Sequence, residues 1–189
     1  MWGSGTDKPL DDVQAANDLI IKNCGQEANV LVIGQAVYTK LKKSAQIQNQ
    51  IRSILGYTNG TKGIQVKVTA ETLALALGIE TVLIGRGRYN SADEGQTDSM
   101  GFILPANYAF LMYQPNVNDA MAPHLGRTFV WDSGLMDWDI DGAQVAAPYE
   151  GTVIEQYYEN GSNTGIMRAR KFLDMLLLNK ESGCLLTGV

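Results

Sequence analysis

Four short stretches carry residue types that can do chemistry. In "DWDIDG", Asp137, Asp139 and Asp141 alternate ahead of Gly142, matching positions one, three, five and six of a calcium loop. Hard calcium wants several oxygens, and the chain must turn sharply between them. Position twelve, where a bidentate glutamate closes the shell, is Pro148. Neither flank reads as a helix, so a solvated acidic hairpin or loop is the expectation for 132–148. "GRGRYN" follows an apolar run and starts like a dinucleotide fingerprint, but Asn90 stands where the third glycine belongs and no amphipathic helix opens behind it. "GYTNGTKG" sets a lysine among glycines without the phosphate-wrapping spacing and reads as a turn. His124, the one histidine, sits beside proline with no local nucleophile signature such as GxSxG, so no catalytic residue is assigned.

Arg86 and Arg88 are a different kind of candidate. Alternate positions after a strand point to one face, where two guanidinium groups can pair with carboxylates of another chain; the competing reading is two solvated arginines. Trp138, with Trp2 and Trp131, is either an interface anchor or core. Cys24 and Cys184 have neither zinc spacing nor a CxxC pattern and are expected to be ordinary reduced thiols. No cofactor or metal is implied by these residues.

The elements that must position these groups are legible from periodicity. "DKPLDDVQAANDLIIKNCG" is predicted as a helix, with Pro9 near its first turn, Asp11 and Asp12 at its positive end, and Gly25 as its stop. Leu10, Val13, Asn17, Ile20 and Cys24 form its stripe, with Asn17 the polar intruder. "ANVLVIG" reads as a buried strand, followed by helices "QAVYTKLKK" and "SAQIQNQIRSILG", the second capped by Ser44 with Ile47, Ile51 and Ile54 on one face. "IQVKV" alternates, "TAETLALALG" is helical between Thr69 and Gly78, and "ETVLIG" is a second buried strand. Residues 86–100 form a long polar loop or hairpin tip, expected to be mobile. From 101 the short runs "GFILP", "YAFLMYQ" and "RTFVW" suggest a β-meander; "GTVIEQYYEN" and "TGIMRARKFLDMLLLN" are two long strands paired across "NGSNTG", and "CLLTGV" is the final strand.

With 189 residues, the chain is one large domain or two interleaved ones, able to bury about 70% of its unfolded surface. A net charge of −5, with "KLKK" as the longest basic cluster, argues against general nucleic-acid affinity. No run approaches the length of a membrane span and "MWGSGTDKPL" lacks a signal-peptide core, so nothing points to export or membrane insertion and a cytoplasmic site of synthesis is expected. The two Asn-Gly-Thr/Ser sequons then carry no meaning.

A broader pattern runs across these elements. Trp2 and helix 9–24, then Asn29, Leu31 and Gly34, then Val82, Gly85, Tyr89, Asn90, Glu94 and Gly95 follow in an order that resembles the C-terminal part of tailed-bacteriophage major capsid proteins. The resemblance implies a mixed α/β (α+β) capsid fold. Residues 1–26 and 150–180 would form a peripheral domain with a spine helix and long strands, and 27–149 with 181–189 an axial domain. It implies a structural, non-enzymatic protein that associates with itself into pentamers, hexamers and an icosahedral shell around DNA, with scaffold, portal and decoration proteins as further partners, located in the virion. Arg86, Arg88 and Trp138 would be subunit-interface residues. The family's N-terminal arm and extended loop have no counterpart here, so the chain looks truncated. An encapsulin-like compartment shell, or a nucleotide- or calcium-binding module, is the alternative.

Overall fold

The computed structural model describes residues 2, 7–56, 67–115, 124–130, 144–145, 152–159, 161 and 163–189. The fold is mixed α/β and divides into two compact units, Met1–Leu125 with Asn179–Val189, and Gly126–Leu178.

The first unit is a four-stranded sheet with helices on one face. Its strands are β1 (Val30–Gly34), β2 (Thr81–Gly85), β5 (Tyr108–Met112) and β11 (Gly183–Thr187), in the order β11-β5-β1-β2. β1 and β2 run parallel, and the other two contacts are antiparallel. Register puts Leu31 opposite Val82 and Leu111, and Ile33 opposite Ile84 and Ala109. Successive side chains alternate faces, so this set, extended by Cys184 and Leu186, makes the face that joins the buried core.

Helix α1 (Pro9–Cys24) starts on proline, carries Asp11 and Asp12 in its first turn, and stops where Gly25 turns left-handed and donates its N–H to Ile21 O at 2.8 Å. Val13, Ala16 and Ile20 are buried. The intruder Asn17 has a purpose: its Oδ1 accepts the Ala28 N–H at 2.8 Å, holding the turn into β1. α2 (Gln35–Lys43) and α3 (Ala45–Ile54) bury Val37, Tyr38, Leu41, Ile47 and Ile51. α4 (Ala70–Leu77) is closed at its start by a reciprocal Thr69–Thr72 box and at its end by left-handed Gly78. Trp2 is a core residue, its indole N–H donating to Asp12 Oδ2 at 2.8 Å.

The second unit holds two separate sheets. β6 (Gly126–Val130) pairs with β10 (Leu173–Leu177), and β7 (Gln144–Val145), β8 (Thr152–Glu159) and β9 (Thr164–Lys171) form an antiparallel three-stranded sheet.

Several expectations change. Ser44 precedes α3 but makes no capping bond, because it also ends α2 and its hydroxyl is buried without a partner. Ile54 lies on the exposed side of the last turn. β2 is an edge strand, with Leu83 exposed where burial was expected. The meander does not form: "GFILP", "YAFLMYQ" and "RTFVW" contribute strands to three different sheets. "TGIMRARKFLDMLLLN" is two strands, broken at Phe172, that belong to different sheets. Compactness within the chain groups α1 with the 27–125 region and 179–189, a division by internal contacts that leaves the expected peripheral and axial parts as an expectation. "IQVKV" falls largely outside the described residues, as does the acidic loop apart from 144–145.

Candidate assembly surface

The polar stretch after β2 is a two-stranded ribbon. β3 (Arg88–Asn90) pairs antiparallel with β4 (Met100–Phe102), with Arg88 opposite Phe102, Tyr89 opposite Gly101 and Asn90 opposite Met100. Backbone bonds lengthen it at both ends: Ile103 N–H donates to Gly87 O at 2.9 Å and Ser91 N–H to Ser99 O at 2.9 Å. The tip is pinned by one side chain. Asn90 Oδ1 accepts the N–H groups of Ala92 at 3.1 Å and Ser99 at 2.9 Å, while its amide donates to Asp98 Oδ1 at 2.8 Å. Left-handed Gly95, at φ 84°, closes the turn.

The base of the ribbon crosses the ends of β1 and β2. Gly34 and Gly85 face each other in the parallel register. A Cβ on Gly85 would run into the Leu104 Cδ1 methyl, one on Gly34 would stand 3.2 Å from Leu104 O, and one on Gly87 would stand 2.9 Å from Ile103 Cδ1. The glycines of "GRGR" therefore make room for Leu104 and Ile103. The space above Gly85 and Gly87 that the dinucleotide reading needs is filled with hydrocarbon.

What the ribbon presents to solvent is unusually apolar. Tyr89 is 53% exposed, Met100 62%, Phe102 44% and Ile103 63%. The sheet face opposite the core adds one rung across all four strands, Leu83–Val32–Phe110–Leu185, with Leu83 and Leu185 exposed. In the second unit, Val130, Leu173, Met175 and Leu177 share one face of the β6–β10 ribbon and are all exposed. Isolated two-stranded ribbons are marginal in water, and contiguous apolar surface marks sites where another surface is meant to sit.

Of the residues singled out from sequence, Arg86 is tied to α2, its Nε donating to Gln35 Oε1 at 3.1 Å, and Arg88 stands on the ribbon opposite Phe102. Neither has an ion-pair partner among the described residues. Trp138 lies outside the described residues. Cys24 and Cys184 are free thiols, and His124 is half-buried two residues before β6. Among the described residues no group of three His, Cys, Asp or Glu side chains could hold a metal ion. No described helix is long and apolar enough to cross a membrane. Sequence reasoning missed the organising roles of Asn90 and Leu104; the signal for Asn90 was an Asn followed nine residues later by serine across a turn-rich tip.

The fold itself has a solved counterpart. The chain matches a phage-related protein of Bordetella bronchiseptica RB50 with a TM-score of 0.71 over 99% of its own length, at 17% sequence identity. At that identity the likeness is one of fold. The chain spans about half of that structure, 52% of its length. No protein-family profile and no curated protein matches the chain.

Proposed function

We propose that this chain is the shell-building part of a tailed-phage major capsid protein, which associates with copies of itself into capsomers and a closed shell around packaged DNA. The observation that carries the reading is the fold likeness to a phage-related protein along 99% of the chain. Two features support it. The scattered positions that resemble the capsid family include Gly34, Gly85, Tyr89 and Asn90, which build and anchor an exposed ribbon. Exposed apolar side chains line faces that no described element covers, as surfaces that meet other copies require.

On this reading the role is mechanical. Repeated heterologous contacts close into rings, and rings close into a shell. The net charge of −5 suits a wall that encloses DNA without holding its phosphates, because fixed cationic sites would bind them. The protein makes and breaks no bonds, resides in the virion, and meets scaffold, portal and decoration proteins through the same shell. Electron microscopy of the expressed gene product tests the proposal. Closed shells that protect DNA from nuclease are expected. Shells filled with protein cargo would assign it to a compartment instead, and a product that forms no assembly at all would refute it.

A further inference from the structure

At the base of the ribbon lies a cavity of about 430 Å³ whose lining includes Lys42, Lys67 and Arg86, with Tyr38, Val68 and Thr69, and no carboxylate. In a chain of net charge −5, three cations without an acid is a marked local departure. None of the three has an ion-pair partner among the described residues. The cavity is also held in shape. Tyr38 Oη donates to Val68 O at 2.8 Å, Lys42 Nζ lies 4.3 Å above the Tyr38 ring, and Arg86 is oriented through Nε by Gln35, which leaves its terminal amino groups for another acceptor.

The opposite charge sits at the other end of the same ribbon. Between Ser91 and Ser99 are Asp93, Glu94 and Asp98 and no lysine or arginine. This tip is preorganised by the Asn90 bonds, so little ordering is needed when it docks. The ribbon holds it away from the cavity: the paired stretch from Gly87 to Ser91 is four residue steps, roughly 13 Å at the strand rise. The acidic patch at the end of the paired ribbon and the basic patch at its base are thus held apart within a copy. They can meet between copies, head to tail, which is the geometry that generates rings.

We infer that the acidic tip at 91–99 of one copy docks into the Lys42–Lys67–Arg86 cavity of the next. The inference rests on the self-assembly reading above and names the residues of one of its contacts. The exposed Met100 and Phe102 lie on the ribbon behind the tip, where the approach of a neighbour would cover them.

Charge reversal in trans tests it, using the full chain. One variant carries Asp93→Lys and Glu94→Lys; another carries Lys42→Glu and Lys67→Glu, with Lys67→Glu alone as a milder form that leaves the Tyr38 contact intact. Circular dichroism checks that each is folded. By analytical ultracentrifugation at low salt, each variant alone should associate at least about tenfold more weakly than the parent, and the difference should shrink as salt shortens the Debye length. An equimolar mixture of the two doubly substituted variants should recover association, because the new lysines of one meet the new glutamates of the other. A parent chain that stays monomeric up to about 1 mM, folded variants that associate like the parent, or a mixture that recovers nothing would each overturn the contact. So would inorganic phosphate binding to the cavity with tip reversal having no effect on association, which would make it a small-anion site. Shells seen by electron microscopy despite such a failure would sink this contact alone and leave the assembly reading standing.

Discussion

Gly85 offers a sharp test of how the ribbon is anchored. Its φ is not left-handed, so alanine is tolerated by the backbone and only the contact above it counts. An added Cβ would overlap the Leu104 Cδ1 methyl and lie 3.1 Å from Leu104 Cγ, against the about 3.5–4.0 Å at which carbons attract. Leu104 must leave its rotamer or lift the chain, an overpacking cost of about 1–3 kcal/mol. Alanine also stiffens the unfolded chain relative to glycine, which returns about 0.5–1 kcal/mol in a strand. Gly85→Ala should therefore destabilise by about 0.5–2 kcal/mol net. In a Leu104→Ala background the obstacle is gone, since the next atom, Ile33 O, is 3.8 Å away. There the same substitution should be neutral or stabilising by about 0.5–1 kcal/mol, giving a coupling of about 1–3 kcal/mol across the cycle. Urea unfolding followed at 222 nm reads the right unit, because all four described helices lie in it. If Gly85→Ala costs the same with and without the Leu104 side chain, the glycine slot is not what seats the ribbon.

Three further outcomes are expected. Asn29→Ala removes a side chain that donates to Gln114 O at 2.7 Å and accepts Gln114 N–H at 2.7 Å, so it should cost about 1–2 kcal/mol in the same urea assay. Thr69→Ala should cost about 0.5–2 kcal/mol through loss of the α4 cap, with Thr69→Ser close to the parent; equal losses for both would show that the methyl group, not the hydroxyl, matters. Asn90→Ala should speed amide exchange at Ala92 and Ser99 by about tenfold or more while leaving the global unfolding midpoint nearly unchanged, since the tip opens locally.

The first unit was more legible than the second, and the reasons are local. α1 and α4 carry their punctuation in sequence: Pro9 and Gly25 in one, Thr69 and Gly78 in the other. Periodicity reports only whether one face is buried, so it identified β1 and β2 as strands but not that β2 lies at an edge. Strand pairing is set by contacts distant in the chain. Nothing local in "YAFLMYQ" says that β5 sits between β1 and β11, the second of which begins only at Gly183, and proximity in sequence wrongly suggested a meander. Phe172 breaks a run that reads as one strand because the two halves answer to different partners, β8 and β6. For the candidate surface, Arg86 was visible as an exposed cation, but its cavity needs Lys42 and Lys67 from segments far away in sequence.

The positions on which the sequence reading drew its capsid resemblance are scattered, and the structure gives most of them one shared consequence. Leu31 and Val82 are core residues that fix the paired strands β1 and β2. Asn29 ties the start of β1 to the segment after β5, and Gly34 and Gly85 clear the other end of β1 and β2 for Leu104. Tyr89 lies over Gly101, where an added Cβ would stand 3.2 Å from its ring, so the ribbon needs both residues together. Asn90 and Gly95 then shape a tip on which Glu94 is displayed. The chain of dependence runs outward, from the core through a glycine slot to a solvent-exposed tip pinned by Asn90. Such an arrangement fixes the direction of a projecting element relative to the sheet, which the proposed assembly would require if each copy is to place the next at the same angle.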